Sequence, residues 1–323
     1  MKIAVDRHDV RLGDIIRRSS GLEHADIGII GVPFDGSTRG RPGARFAPQC
    51  IRSQLYSFTT QAFGVSLSDI TIGDFGDAPT YYGSVDKNKE EIRKFVSNVL
   101  KKCKRLVVLG GDHSITEPCF DAFSANYDSV GLIVFDAHLD MRELSPGAVS
   151  SGTVMGDIIS KNPKLCPRNI IYVGIRDFAN PTYYLRKAER LGATIFFSKD
   201  ILFNGVGIEK ILETITSMSE RVDAVYVSLD VDSLDCSYAP GVNAPSPLGL
   251  KPEHICALLE KIGEREKFAI LDVTEVAPPY DPTGITCRNA AVCVLSYMAG
   301  VAGSMISKPS TTRHRWVARR QYI

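Results

Sequence analysis

Short apolar runs rich in β-branched residues alternate along the chain with longer stretches in which apolar positions recur every three to four residues. Runs of the first kind predict strands buried on both faces, near 26–31, 105–109, 131–135, 169–174, 193–197, 224–228 and 268–271. The second kind predicts amphipathic helices over roughly 48–56, 87–102, 115–126, 182–191, 208–218, 252–262 and 288–302. Strand and helix alternating from end to end is the signature of a parallel sheet covered by helices on both faces. In such α/β sheets a site lies outside the carboxyl ends of the strands.

Composition narrows the field. The chain has 323 residues, 44% apolar and 23% charged, which is enough to bury a large core. A net charge of +1 leaves no footprint of the kind nucleic-acid partners require. No apolar run reads as long enough to span a membrane, and the first residues lack the apolar core of a secretory signal. The eight cysteines are scattered without a C-x-x-C pair, which predicts reduced, mostly buried thiols and a cytoplasmic protein. No repeat or linker divides the chain, so one domain over 1–306 is expected, followed by a basic tail, 307–323.

Three segments, each directly after an apolar run, carry the chemistry: Gly110-Gly111-Asp112-His113-Ser114, Asp136-Ala137-His138-Leu139-Asp140 and Ser228-Leu229-Asp230-Val231-Asp232. Side chains alternate faces in extended backbone, so Asp136, His138 and Asp140 should share one face, as should Asp230 and Asp232. A lone Asp-x-Asp in such a place is more often a cap or turn than a ligand pair. Three such segments at three predicted strand ends favour a metal site. Four gathered carboxylates need counter-charge, and two divalent cations would supply it. Oxygen and imidazole ligands without thiolate suit two Mn²⁺ ions rather than structural zinc.

Other motifs bear on the edges of this reading. Ser114 and Glu117 form an S-x-x-E capping box, so a helix is expected just after His113. Neither G-x-G-x-x-G nor G-x-x-x-x-G-K-[ST] occurs, which removes support for dinucleotide or P-loop binding. The loop from Asp35 to Arg45 carries Arg39, Arg41 and Arg45, and it suits a pocket border as well as a subunit contact. Cys236 and Cys287 lie near these motifs but have no partner base, so a structural role outweighs a nucleophilic one.

With these segments side by side, the chain resembles the ureohydrolase family of arginases, agmatinases and formimidoylglutamases. The matching stretches are Gly110 to Ser114, Asp136 to Asp140, Ser228 to Asp232 running on to Ala239-Pro240-Gly241, and Thr274-Glu275-Val276. The resemblance implies a three-layer α/β/α sandwich with a mostly parallel sheet, and an assembly that is a homo-oligomer, trimer or hexamer. It implies one manganese held by His113, Asp136, Asp140 and Asp230, and another by Asp136, His138, Asp230 and Asp232. Metal-activated water would then attack the planar carbon of an amidine or guanidine. Asp140 would carry the proton to the leaving amine, and Glu275 would hold the cationic N–C–N fork.

One departure from arginase and agmatinase bears on the substrate. Both carry a histidine before a glycine in the loop after the second segment, and here Ser151 stands there, before Gly152. A hydroxyl does not relay protons near neutral pH as imidazole does. Ser151-Gly152-Thr153, Val242-Asn243-Ala244-Pro245 and Thr286-Cys287-Arg288-Asn289 look more like formimidoylglutamase. That activity would release formamide from N-formimidoyl-L-glutamate, with Arg288 or an arginine of the 39–45 loop gripping a substrate carboxylate. Agmatinase, which forms putrescine and urea, is the alternative. A single-zinc deacetylase would show fewer ligands, and a non-catalytic scaffold would have lost some of the six.

Overall fold

The computed structural model describes residue 6 and residues 8–18, 22–81, 83–145, 148 and 150–307. Its strands are β1 (Arg17–Arg18), β2 (Ala25–Gly31), β3 (Gln61–Ala62), β4 (Val65–Ser66), β5 (Ile72–Asp77), β6 (Cys103–Leu109), β7 (Val130–Phe135), β8 (Leu165–Ile175), β9 (Thr194–Phe197), β10 (Ala224–Asp230) and β11 (Phe268–Thr274). Nine of them form one sheet in the order β1-β5-β2-β6-β11-β10-β7-β8-β9, parallel throughout, while β3 and β4 make a separate antiparallel hairpin. The helices are α1 (Leu12–Ile15), α2 (Ala47–Ser57), α3 (Val85–Leu100), α4 (Thr116–Ser124), α5 (Val154–Lys161), α6 (Thr182–Leu191), α7 (Ser198–Phe203), α8 (Ile208–Glu220), α9 (Pro252–Gly263) and α10 (Ile285–Ser307).

Each face of the sheet carries its own core. Val107 and Leu109 face one side with Ile51 and Leu55 of α2, Ile211 and Ile215 of α8, Leu258 of α9 and Val294 of α10. Leu106 and Val108 face the other with Ile92 and Val96 of α3, Phe120 and Phe123 of α4 and Val154 of α5. Burial on both faces explains why the central strands are continuous apolar runs rather than alternating ones. The expected three-layer α/β/α sandwich is the observed fold.

Local departures have physical causes. β5 escaped the sequence pattern because Ile-Gly-Asp-Phe-Gly-Asp reads as turn, yet it pairs with both β1 and β2. Contrary to the expectation of no membrane-length run, the stretch Ile285–Ile306 within α10 is long and apolar enough to cross a membrane, but 67% of its most apolar window is buried in this fold. It packs on α9 and α2. A Cβ on Gly300 would lie 2.0 Å from the Glu260 carbonyl oxygen, and one on Gly263 would lie 2.3 Å from that of Tyr297, so both glycines let the α9 and α10 backbones touch. The expectation of reduced thiols fails for one pair: Cys50 and Cys287, 237 residues apart, are disulfide-bonded between α2 and α10. The basic tail beyond 307 lies outside the described residues.

Candidate metal centre

The strand order places β6, β11, β10 and β7 side by side, so their carboxyl ends bring distant segments together. β7 stops at Phe135, and the alternating-face geometry expected for Asp136, His138 and Asp140 stops with it. These residues follow in an irregular segment in which Asp136 Oδ1 accepts the His138 N–H at 2.6 Å and Asp140 adopts φ +46°. The turn, not the pleat, brings them to one place. Asn180 fixes that turn, accepting the Leu139 N–H at 2.9 Å and donating to the Ala137 carbonyl at 2.9 Å. α5 fixes its end, because the N–H of Met155 donates to the Asp140 carbonyl at 3.0 Å.

Asp230 ends β10 and caps the short turn Val231–Ser233, accepting the Asp232 N–H at 2.8 Å. His113 opens a turn capped by Asp112, whose Oδ1 accepts the Ser114 N–H at 3.1 Å and whose Oδ2 accepts the Ser37 N–H at 2.8 Å. The expected Ser114–Glu117 box does not form. Asp112 takes the capping role, and Glu117 pairs with Lys89 and Lys161 instead. Gly111 is required here, since a Cβ on it would fall 1.6 Å from the Phe34 carbonyl oxygen.

The six expected ligands meet in two groups. His113, Asp136, Asp140 and Asp230 form one, and Asp136, His138 and Asp232 the other, with candidate ligand atoms in each group within 4.8 Å of one another. Asp136 belongs to both, whereas Asp230, expected in both, belongs to the first alone. His113 Nδ1 lies 3.0 Å from Asp140, 3.3 Å from Asp136 and 3.3 Å from Asp230, and His138 Nδ1 lies 2.9 Å from Asp232.

Electrostatics show what the arrangement lacks. Burial together with Asp140 and Asp232 pushes Asp136 up to about 6, and burial with Asp232 and Asp136 pushes Asp230 well above the carboxylate range. Burial alone would lower His138, but Asp232 and Asp136 outweigh it and push it up to about 12. Asp232 is held low against its burial by His138 and by Arg176, which is itself buried with its fork on the Gly174 and Leu234 carbonyls. Asp136 Oδ2, fully buried, has no hydrogen-bond partner among the described residues. Crowded buried carboxylates with an orphaned oxygen and imidazole nitrogens among them are a donor set that fits divalent cations.

Glu275 stands beside this cluster at φ +66°. Its N–H donates to the Gly111 carbonyl at 2.8 Å, and its Oε1 accepts the His113 N–H at 2.8 Å. Oε2 is buried and has no hydrogen-bond partner among the described residues. Burial, with the Asp112 charge added, pushes this carboxyl up to about 8. The stretch after Pro240 braces it, since the Asn243 N–H donates to the Glu275 carbonyl at 3.3 Å. Arg41 in turn holds that stretch, donating to the Pro240 and Val242 carbonyls and stacking over Tyr280.

A cleft lined by His138, Asp140, Arg142, Asn180 and Tyr184 opens next to the cluster. A larger cavity of about 340 Å³ lies elsewhere, among Arg168, Lys210 and Arg221, and contains no cluster residue.

Residues 25–300 match the family model described as the arginase family. The chain belongs to the arginase family. It is 32% identical to a formimidoylglutamase of Halalkalibacterium halodurans over 92% of this chain and 93% of that one. It is 30% identical to an agmatinase of Neisseria meningitidis over 85% of this chain and 87% of that one. A crystal structure of formimidoylglutamase from Bacillus subtilis superposes with a TM-score of 0.87 at 27% identity, covering 94% of this chain and 96% of that one.

Within this arginase-family chain the other expected site residues lie as follows. Ser151 is buried in the turn Ser151–Thr153, which packs against the His113 turn, and its N–H donates to the Ser37 carbonyl at 3.0 Å. Arg288 is engaged between α2 and α10, donating to Gln54 at 3.0 Å and stacking over Phe58. Arg41 and Arg45 are likewise held by the protein, Arg45 by Asp35. The guanidinium at the cleft is that of Arg142, which sequence reasoning passed over. It is exposed and has no ion-pair or side-chain hydrogen-bond partner among the described residues, and its stem packs where a Cβ on Gly152 would meet it at 3.2 Å. Its position two residues beyond Asp140 is the signal that could have found it.

Proposed function

We propose that this protein hydrolyses N-formimidoyl-L-glutamate to L-glutamate and formamide, with two Mn²⁺ ions per subunit. The observation that carries the substrate choice is Arg142, an exposed guanidinium without an ion-pair partner among the described residues, in the cleft that also contains His138 and Asp140. Such a fork pairs with a carboxylate, and the glutamate moiety offers two. The relatives named formimidoylglutamase support the same reading.

His113, Asp136, Asp140 and Asp230 would hold one ion, and Asp136, His138 and Asp232 the other. Bound there, the pair would supply Lewis acidity that makes water nucleophilic near neutral pH. The protein's own side chains supply the rest. Glu275 Oε2, buried and unpartnered, accepts a hydrogen bond from the amidinium N–H and orients the planar carbon. Asp140 carries one proton from the attacking water to the nitrogen of glutamate, the C–N bond breaks as the carbonyl forms, and the remaining hydroxyl proton passes to the leaving amine, which departs as the ammonium while formamide retains the other nitrogen. Ser151, buried next to the His113 turn, completes the substrate wall. The proposal includes a single catalytic domain over 1–306, a cytoplasmic location and a trimeric or hexameric homo-oligomer.

Agmatinase is the second reading, favoured by the Neisseria relative. Agmatine ends in an ammonium, which the Arg142 guanidinium would repel. Purified Mn²⁺-loaded protein given formimidoylglutamate, agmatine, guanidinobutyrate and arginine separates the two. Formamide and glutamate from the first substrate alone are expected; urea from agmatine with no formamide would overturn the choice.

A further inference from the structure

His113 is held from behind as well as from the front. Its Nε2 lies 3.0 Å from Ser228 Oγ. Ser228 Oγ lies 2.6 Å from Asp272 Oδ1, and the other oxygen of Asp272 receives the Tyr226 hydroxyl at 2.6 Å and the Thr116 hydroxyl at 2.7 Å. All five residues are fully buried. Asp272 lies on β11 beside Ser228 of β10, because those strands pair with Ser228 opposite Asp272.

Counting protons fixes the direction of every bond. An ionised carboxylate only accepts, so each of the three hydroxyls gives its one proton to Asp272. Thr116 Oγ1 also lies 3.4 Å from Ser228 Oγ, but its proton is already directed to Asp272. Ser228 therefore turns a lone pair toward His113, and only an Nε2–H can satisfy it. With a proton held on Nε2, Nδ1 is the nitrogen that faces Asp136, Asp140 and Asp230, and its lone pair is the one released to a cation when the ring is neutral.

We propose that Asp272 is a positioning residue which, acting through Ser228, sets His113 in the tautomer that ligates through Nδ1. This rests on the reading of His113 as a metal ligand. Outer-shell hydrogen bonds of this kind fix both ring orientation and tautomer, and their loss typically costs 10- to 100-fold in metal affinity.

Calorimetric titration of the metal-free full chain with Mn²⁺ tests it, using Ser228→Ala, Ser228→Thr and Asp272→Asn. Ser228→Ala removes one hydroxyl and leaves Asp272 two donors, so it remains informative if Asp272→Asn fails to fold. The expected result is a loss of roughly 10- to 100-fold in affinity for one of the two ions in Ser228→Ala, with the other ion unaffected and Ser228→Thr close to wild type. In the ¹⁵N spectrum of histidine-labelled wild type loaded with diamagnetic Zn²⁺, His113 should show a protonated Nε2. Unchanged affinity for both ions in Ser228→Ala, or equal loss of both, would overturn the proposal. A wild-type chain that takes up no Mn²⁺ would overturn the dinuclear reading itself, and this inference with it.

Discussion

The backbone N–H of His113 donates to Oε1 of Glu275 at 2.8 Å. A residue of the candidate metal cluster and the carboxylate proposed to bind the substrate are thus hydrogen-bonded to each other, from segments that follow β6 and β11. One oxygen of Glu275 is occupied by the protein and the other is left for a ligand.

Glu275→Gln keeps an acceptor for His113 and removes the carboxylate charge that cations in the cluster and the bound amidinium would favour. A charge-assisted hydrogen bond contributes about 1.5–3 kcal/mol, so kcat/KM for formimidoylglutamate should fall roughly 10- to 100-fold. Metal uptake should be unchanged. Steady-state kinetics alongside metal analysis checks both halves, and a variant with normal kinetics would remove Glu275 from the substrate's contacts.

Arg142→Met removes the guanidinium and keeps a stem to pack against Gly152. Activity on formimidoylglutamate should drop by a similar factor, on the order of 10- to 100-fold. A formimidoyl-alkylamine without carboxylates should be hydrolysed equally by both forms. Equal losses on the two compounds would show that Arg142 does not read the carboxylate. Arg288→Ala, by contrast, should leave KM unchanged, because that side chain is occupied by Gln54 and Phe58.

The pH dependence of stability in metal-free protein has a definite sign. Glu275 is raised from 4.5 to about 8 by burial and by Asp112. Between those values the folded chain holds a proton that the unfolded chain releases, so stability falls as pH rises through this window and the stabilising contribution is gone above about 8. One proton corresponds to a slope of about 1.4 kcal/mol per pH unit. Asp136, raised to about 6, adds to the slope at the lower end. Denaturant unfolding at a series of pH values should show a shallower decline in Glu275→Gln than in wild type.

Asp136 is the one residue shared by both groups of ligand atoms. At a Mn²⁺ concentration 100 times its dissociation constant, each ion bound should stabilise the folded chain by about 2.7 kcal/mol, and a chelator should reverse this. Asp136→Asn should abolish the shift, which differential scanning calorimetry reads directly.

That these six residues would converge was legible because they follow apolar runs in three short segments. What surrounds them was not. Asp112, Asn180, Arg176 and Asp272 act through strand order, with β11 inserted between β6 and β10, and no local spacing encodes that adjacency. Asp112 was hidden by the S-x-x-E pattern of Ser114 and Glu117, which tertiary ion pairs to Lys89 and Lys161 override. β5 was hidden by Gly73 and Gly76. Cys50 and Cys287 meet only because α10 packs on α2.

Anomalous diffraction at the manganese edge, from crystals of the wild-type chain grown with Mn²⁺, tests the centre most directly. Two peaks per chain are predicted, one among His113, Asp136, Asp140 and Asp230 and one among Asp136, His138 and Asp232. A single peak, or none between these residues at saturating metal, would contradict the account.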